Sequence, residues 1–218
     1  MILGVGPGDG SAVAAGRVPR PGAGGVVPRQ RLSELLSGSA RVTVVSAPPG
    51  SGKSVLLRSW ISQPTLTQSA AWVTAGRDEG NPQRFWLTVL GALRRTAPGA
   101  ALVRAVTAAP DLDGWAIIER LLTDLAQLRD QLWLVIDDMH ELDDDQALRQ
   151  LELLIMRAPP QLRFALATRH DVRLRLHRLR LEGDLAEIRE SDLRFSLPRR
   201  VNCSRRRGWS CPSRPWRC

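Results

Sequence analysis

Residues 46–54 read SAPPGSGKS, and this stretch decides which fold the sequence predicts. Its end, Gly52-Lys53-Ser54, matches the end of the phosphate-loop pattern G-x-x-x-x-G-K-[ST]. Its start differs, because an alanine stands where the pattern begins with glycine and two prolines follow it. Proline has no N–H group, but both prolines precede the part of the loop, from Gly50 onward, that normally supplies donors to a phosphate. The prolines therefore remove no donor that a phosphate-binding loop needs.

The segments on either side give the loop the context that the pattern requires. The residues before it, RVTVVSA at 41–47, are apolar and β-branched and predict a buried strand. The residues after it, SVLLRSWIS at 54–62, predict a helix whose positive dipole end would face a phosphate. We predict ATP as the ligand, contacted by these residues: Gly50, Ser51, Gly52, Lys53, Ser54 and Val55.

The chain contains a single lysine, and that lysine lies in the loop. Of the 31 basic residues, 30 are arginine and the exception is Lys53. An ammonium group is a compact charge on a flexible stem, and it reaches β- and γ-phosphates where a planar guanidinium fits poorly. The lone lysine therefore favours a nucleotide site over the alternative, a plain glycine turn before a helix.

A second stretch, LWLVIDD at 132–138, predicts an apolar strand that ends in carboxylates. Strands of this kind place an acid beside Mg²⁺ in phosphate-transferring proteins. We predict that Ser54 and Asp137 hold Mg²⁺, with Asp137 in its outer shell, and that Asp138 orients or activates the attacking water. The alternative is an acidic strand end that caps the next loop.

A third stretch, ALATRHD at 165–171, predicts a strand that ends at Thr168 and Arg169. Related ATPases place a polar or basic residue there to sense the γ-phosphate, so Arg169 is a candidate catalytic residue. A structural or solvent-exposed role for an arginine in this arginine-rich chain is an equal alternative. His140 and His170 also follow strand ends, but a lone histidine there is usually a local hydrogen-bonding group, and we assign neither a catalytic role.

The remaining pattern alternates strands with helices and predicts an α/β fold of the P-loop NTPase type. Such alternation favours three α/β/α layers around a parallel sheet, here with five strands. Strands are predicted at 41–47, 71–75, 132–138, 162–168 and 185–190. Helices are predicted at 54–62, 81–95, 113–128 and 144–158, with short ones near 32–36 and 173–180.

The ordered succession of these motifs over residues 26–197 resembles the ATPase module of large LuxR-type transcriptional regulators. This is the branch of the STAND class of signal-transducing P-loop ATPases that includes the maltose-regulon activator. The segments that carry the resemblance are PRQRL at 28–32, APPGSGKS at 47–54, IDDMH at 136–140 and TRHD at 168–171. Ala47 is ordinary for this family, whereas Val172 replaces a proline that the family expects.

The resemblance implies a switch rather than a metabolic enzyme. In such proteins ATP binding favours an assembly-competent state, and slow Mg²⁺-dependent hydrolysis resets it. The implied partners are a second copy of the module or the sensor and effector domains of a larger regulator. Carried over by position, the resemblance also places Pro28, Arg29 and Arg31 near the nucleotide base. The motifs described above give Lys53, Asp138 and Arg169 as the catalytic set.

The ends of the chain differ from its middle. Residues 1–25 hold eight of the 18 glycines and predict a disordered leader, while 26–197 form the ATPase domain. Residues 198–218 hold seven arginines, all three cysteines and no acid, and predict a disordered tail of frameshift or truncation origin. The alternative is a genuine basic tail that binds nucleic acid or a membrane surface. We therefore expect a fragment that lacks the family's helix-turn-helix and makes no sequence-specific DNA contact.

Charge and hydropathy favour a cytoplasmic protein without a membrane span. The net charge of +9 comes mostly from the tail, since the rest carries 24 basic and 22 acidic residues. This near-neutral body argues against a basic nucleic-acid-binding protein. No apolar run of about 18 residues and no secretory signal are present.

One enzyme alternative stays open, a small P-loop kinase that phosphorylates a small molecule. The chain length suits it, and the arginine-rich stretch RHDVRLRLHRLR at 169–180 would serve as its lid. Against it, the sequence contains no distinct motif for an acceptor substrate.

Overall fold

A computed structural model describes residues 30–76, 82–103 and 113–194 of the chain. The predicted leader at 1–25 and the predicted tail at 198–218 lie outside the described residues, and so do Pro28 and Arg29.

Five parallel strands form one sheet, as the sequence predicts. The strands are β1 (Val42–Ser46), β2 (Ala70–Thr74), β3 (Leu132–Asp137), β4 (Leu162–Thr168) and β5 (Leu185–Arg189). Their order across the sheet is β2-β3-β4-β1-β5, with every neighbouring pair parallel. β4 therefore lies between β1 and β3, although both of these strands come before it in the chain.

Eight helices and one 3-10 turn connect the strands in the described part of the chain. The helices are α1 (Gln30–Leu36), α2 (Lys53–Ile61), α3 (Pro82–Arg94), α4 (Ala97–Leu102), α5 (Gly114–Leu125), α6 (Asp145–Arg157), α7 (His177–Glu182) and α8 (Glu190–Leu193), and the 3-10 turn is Met139–Glu141. Two begin at aspartate caps: Asp113 accepts from the Ala116 N–H and Asp144 from the Ala147 N–H, both at 2.8 Å. None of the described helices is both long and apolar enough to cross a membrane.

The helices cover both faces of the sheet, so the fold has three layers. Successive strand residues point to opposite faces, and Val44 and Val45 accordingly enter two different cores. One core packs β-strand side chains against α3, α5 and α6, and the other against α1, α2 and α8. All six residues of β3 are buried, as expected for a strand covered on both faces.

The structure corrects some of the predicted elements. α4, which contains Pro98 and Gly99, was not predicted. In the structure the proline lies in the first turn, where proline is tolerated, and Thr96 caps the helix by accepting from the Gly99 N–H at 3.0 Å. The arginine-rich helix starts only at His177, later than its pattern predicts, and Leu35 of α1 is exposed rather than buried.

Candidate nucleotide site

Three strand ends meet at one edge of the sheet and form the frame of the site. β1 ends at Ser46, which pairs with Thr168 at the end of β4, and β3 ends at Asp137 on the other side of β4. The Ala47 N–H continues the pairing by donating to the Thr168 carbonyl at 3.2 Å. Because parallel strands share their direction, the loops that follow these strands all lie at the same edge.

The loop after β1 turns through two glycines in the left-handed region. Gly50 has φ +76° and Gly52 has φ +87°, conformations that other residues adopt only with strain. Gly52 is also the residue from which α2 begins, and the Ser51 N–H donates to the Pro48 carbonyl at 3.4 Å. The sequence therefore places glycine where this backbone path requires it.

Lys53 lies inside the loop and not in solvent. Its ammonium group donates to the carbonyl oxygens of Ala47 at 2.6 Å and Pro48 at 3.0 Å, and it lies 3.4 Å from the Ser51 hydroxyl. Burial, and then the charge of Arg169, lower the pKa of Lys53, against the opposing charges of nearby carboxylates. The only ammonium side chain of the protein is thus held at the centre of the loop by groups that a phosphate would replace.

Ser54 joins the loop to the end of β3. Its hydroxyl donates to Oδ1 of Asp137 at 3.1 Å, and the Asp138 N–H donates to the same oxygen at 3.0 Å. Asp137 is only 2% exposed, and this burial raises its pKa although both hydrogen bonds oppose the shift. A buried carboxylate of this kind suits a nearby cation, which would compensate its charge.

These oxygens fit Mg²⁺ held beside a nucleotide. The Ser54 hydroxyl donates its hydrogen bond to Asp137 and keeps its oxygen lone pairs available, so one group serves both a cation and the carboxylate. Mg²⁺ in phosphate sites takes one or two protein oxygens and completes its coordination with phosphate oxygens and water. No cluster of three or more His, Cys, Asp or Glu side chains suited to a metal occurs in the described ranges.

Asp138 follows in a strained turn. Its φ of +52° makes it the one non-glycine residue with positive φ in the part of the chain that the structure describes. Aspartate tolerates this region better than most residues, and such outliers gather at functional sites. Asp138, whose carboxylate is predicted to act on water, thus directly follows Asp137 but has left the extended conformation of β3.

Thr168 and Arg169 lie at the end of β4, between the other two strand ends. Thr168 is buried and its hydroxyl accepts from the His170 N–H at 3.3 Å. Arg169 is partly exposed, and its charge acts on both Lys53 and His140. The predicted catalytic set of Lys53, Asp138 and Arg169 is therefore brought to one edge of the sheet.

Two other predicted contact residues lie less centrally. Val55 is 53% exposed on α2, so only its backbone N–H remains suited to a phosphate. Arg31 is exposed on α1, and its predicted companion Arg29 lies outside the described residues. The predicted contact of both arginines with a base stays a prediction.

The structure adds a cavity that sequence patterns did not indicate. It measures about 740 Å³ and lies between the residues after β3 and those after β4, with His140 and His170 in its wall. The two imidazole rings meet edge to face, with centroids 6.3 Å apart. The His140 side chain is only 10% exposed whereas His170 is exposed, and the sequence does not report which of the two rings the fold encloses.

Comparison with known proteins identifies the kind of module. Residues 29–167 match the family model described as AAA ATPase domain. The serine/threonine-protein kinase PknK of Mycobacterium tuberculosis is 30% identical over 177 residues, 79% of this chain and 16% of PknK. The HTH-type transcriptional regulator MalT of Cronobacter sakazakii is 25% identical over 174 residues, 78% of this chain and 19% of MalT. The chain spans less than a fifth of either relative.

Solved structures share the fold at low sequence identity. The Aeropyrum pernix Orc1 protein, solved in complex with DNA, matches with a TM-score of 0.55 and 18% identity over 88% of this chain and 50% of that one. Cdc6p from Pyrobaculum aerophilum matches with a TM-score of 0.52 and 18% identity over 77% of this chain and 47% of that one. At this identity the likeness concerns the fold alone.

Proposed function

This chain belongs to the AAA ATPase domain family, and from that premise we propose that it is the ATP-binding switch of a larger LuxR-type transcriptional regulator. ATP with Mg²⁺ binds at the loop of residues 46–54 and favours one conformation of the module. Slow hydrolysis then returns the module to the other conformation.

The observation that carries the proposal is the hydrogen bond from Ser54 to Asp137. It joins the helix that starts at the phosphate loop to the end of β3, through two oxygens that suit Mg²⁺. Lys53, buried in the same loop, supplies the positive charge for the terminal phosphates. A plain glycine turn before a helix, the alternative to a nucleotide site, would require none of these contacts.

Each predicted residue has a separate task in this proposal. Backbone N–H groups of the loop hold the phosphates, while Ser54 and Asp137 hold Mg²⁺, which neutralises charge on the phosphates when bound. Asp138 orients or activates the water that attacks the γ-phosphate. Arg169 stabilises the charge that develops there.

The two curated relatives support a switch more than either relative's own activity. One is described as a serine/threonine-protein kinase and the other as a transcriptional regulator, yet both match this chain over nearly the same length. Because the two relatives have different activities, the module that they share is best explained by a function that is useful in both proteins. That function is a change of conformation controlled by ATP.

The contacts of Lys53 suggest how the nucleotide would shift the conformation. A ligand moves an equilibrium only by the difference in its affinity for the two states. In the structure the ammonium group donates to the carbonyls of Ala47 and Pro48. Phosphates would compete for that group, so the loop with and without nucleotide would differ in its internal hydrogen bonds.

We assign the module to the cytoplasm, where ATP is available. We expect it to self-associate or to bind sensor and effector domains of the larger regulator, and we leave sequence-specific DNA binding to other parts of that regulator.

Hydrogen exchange tests the switch. With ATP and Mg²⁺ bound, amides of the loop at 46–54 and of the turn at 138–142 should exchange more slowly than with ADP. Equal protection by ATP and ADP would contradict a switch. Transfer of the γ-phosphate to a nucleoside or another small metabolite would instead favour the small-molecule kinase.

A further inference from the structure

His140 lies in the 3-10 turn after β3, and its ring is enclosed although it is polar. Its side chain is 10% exposed, and neither ring nitrogen makes a hydrogen bond of standard geometry to the protein. Buried polar atoms in native proteins nearly always have partners, and the exceptions mark strain or function. The position of this ring therefore needs an explanation beyond packing.

Two carboxylates face the ring, one on each nitrogen. Nδ1 lies 3.9 Å from Oδ1 of Asp138, and Nε2 lies 3.2 Å from Oε1 of Glu141. The first distance exceeds an ordinary N–H···O bond by about 1 Å. To close that gap, the ring or the Asp138 side chain, which is 36% exposed, would have to rotate.

The backbone of Asp138 is already fixed by the turn. Its N–H donates to Asp137, and its carbonyl accepts from the Glu141 N–H at 2.8 Å. These bonds hold the left-handed conformation but do not touch the Asp138 carboxylate. The backbone thus leaves the direction of that carboxylate to its surroundings, and His140 is the ring beside it.

Burial, together with the neighbouring cationic groups, lowers the pKa of His140 and favours a neutral ring near pH 7. Burial lowers its pKa most, and Arg169 and His170 from the end of β4 lower it further, while Asp138 and Glu141 raise it. A neutral imidazole carries one N–H group, so it can donate to only one of the two carboxylates at a time. The ring thus connects Asp138 to Glu141 and to the end of β4.

We infer that His140 is a positioning residue for Asp138, and that its Nδ1 side fixes the direction of that carboxylate. The inference rests on the proposed function for the task of Asp138, which is to orient or activate water. His140 acts through Asp138 in this account and touches neither the nucleotide nor Mg²⁺.

A first experiment tests the coupling without any nucleotide. Ring ¹⁵N signals of the histidines are followed against pH in the full chain and in the Asp138→Asn variant, since asparagine also tolerates the left-handed backbone. Loss of the carboxylate should lower the pKa of His140 further and change its tautomer. His177, exposed on α7, is the internal reference. An unchanged His140 titration would overturn the inference.

A second experiment separates positioning from packing. Asparagine at 140 places an amide near the former Nδ1, and glutamine places one near the former Nε2. The rate constant of single-turnover ATP hydrolysis for His140→Asn should stay within about threefold of that of the unmutated protein. For His140→Gln and His140→Leu this rate constant should fall roughly tenfold or more. ATP affinity should stay within about twofold in all three, since the interaction serves the chemical step. His177→Asn is the matched control.

The outcomes keep the inference distinct from the proposed function. Equal loss in His140→Asn and His140→Gln, or no loss in either, would overturn the role of Nδ1. An unchanged protein that binds no ATP, or binds it without turnover, would contradict the proposed function instead. In that case the ring titration alone decides: a His140 pKa that responds to Asp138→Asn supports the inference, and one that does not overturns it.

Discussion

Ser54 donates its hydroxyl proton to the Asp137 carboxylate across 3.1 Å, although 83 residues separate the two in the chain. The contact forms because β4 brings the ends of β1 and β3 to one edge of the sheet. It gives the phosphate loop and the acidic strand end one shared polar centre.

Replacing Asp137 by asparagine should remove the effect of Mg²⁺ on ATP binding without lowering the stability of the fold. Both hydrogen bonds to this side chain end on Oδ1, an oxygen that asparagine retains, while the buried negative charge disappears. Since burying a charge is costly without a partner, the nucleotide-free variant should unfold at the same or a higher temperature. Its ATP affinity should no longer increase when Mg²⁺ is added, as isothermal titration would measure.

Asp130 provides the control for this substitution, because it is exposed in the loop before β3. Asp130→Asn should leave the Mg²⁺ effect on ATP affinity intact. A Mg²⁺ effect that survives in Asp137→Asn would show that the metal does not depend on this carboxylate.

Gly50 should matter for the nucleotide more than for folding. A Cβ at Gly50 meets no atom within 4 Å, so Gly50→Ala costs only the backbone strain at φ +76°, about 1–2 kcal/mol. Gly183 has φ +78° and equally open space, and Gly183→Ala should cost a similar free energy of unfolding in urea titrations. Only Gly50→Ala should also weaken ATP binding. Equal ATP affinity in the two variants would argue against a role of the loop conformation.

Acid should destabilise the protein partly through His140. Its pKa is lowered in the folded state from an ordinary value of 6.5, so the unfolded chain takes up a proton that the folded ring resists. The free energy of unfolding should therefore fall as pH drops below about 6.5, and His140→Asn should reduce that slope. Urea unfolding between pH 5 and 7.5 measures it, with His177→Asn expected to keep the original slope.

The sequence predicted the strands well because each is a short apolar run with a clear end. β4 lies at the predicted residues, and β3 ends one residue earlier than predicted. The order of the strands was not predicted, because pairing between distant segments leaves no trace in local periodicity. That order nevertheless places Thr168 between the loop and Asp137.

Local packing explains the elements that sequence patterns missed. Gly99 lies inside α4, where an added Cβ would come within 2.0 Å of the Leu93 carbonyl oxygen. Glycine is therefore needed at this position because the Leu93 backbone lies so close, and not because the chain makes a turn. His140 was assigned no role for a similar reason: the carboxylates of Asp138 and Glu141 are visible beside it in the sequence, but the enclosure of its ring depends on the fold.

The most direct test of the account is equilibrium ATP binding with and without Mg²⁺, for the unchanged chain and for Lys53→Ala. The account predicts binding that Mg²⁺ strengthens, and loss of binding when the only ammonium side chain is removed. Undiminished ATP affinity in Lys53→Ala would contradict the assignment of the nucleotide to this loop.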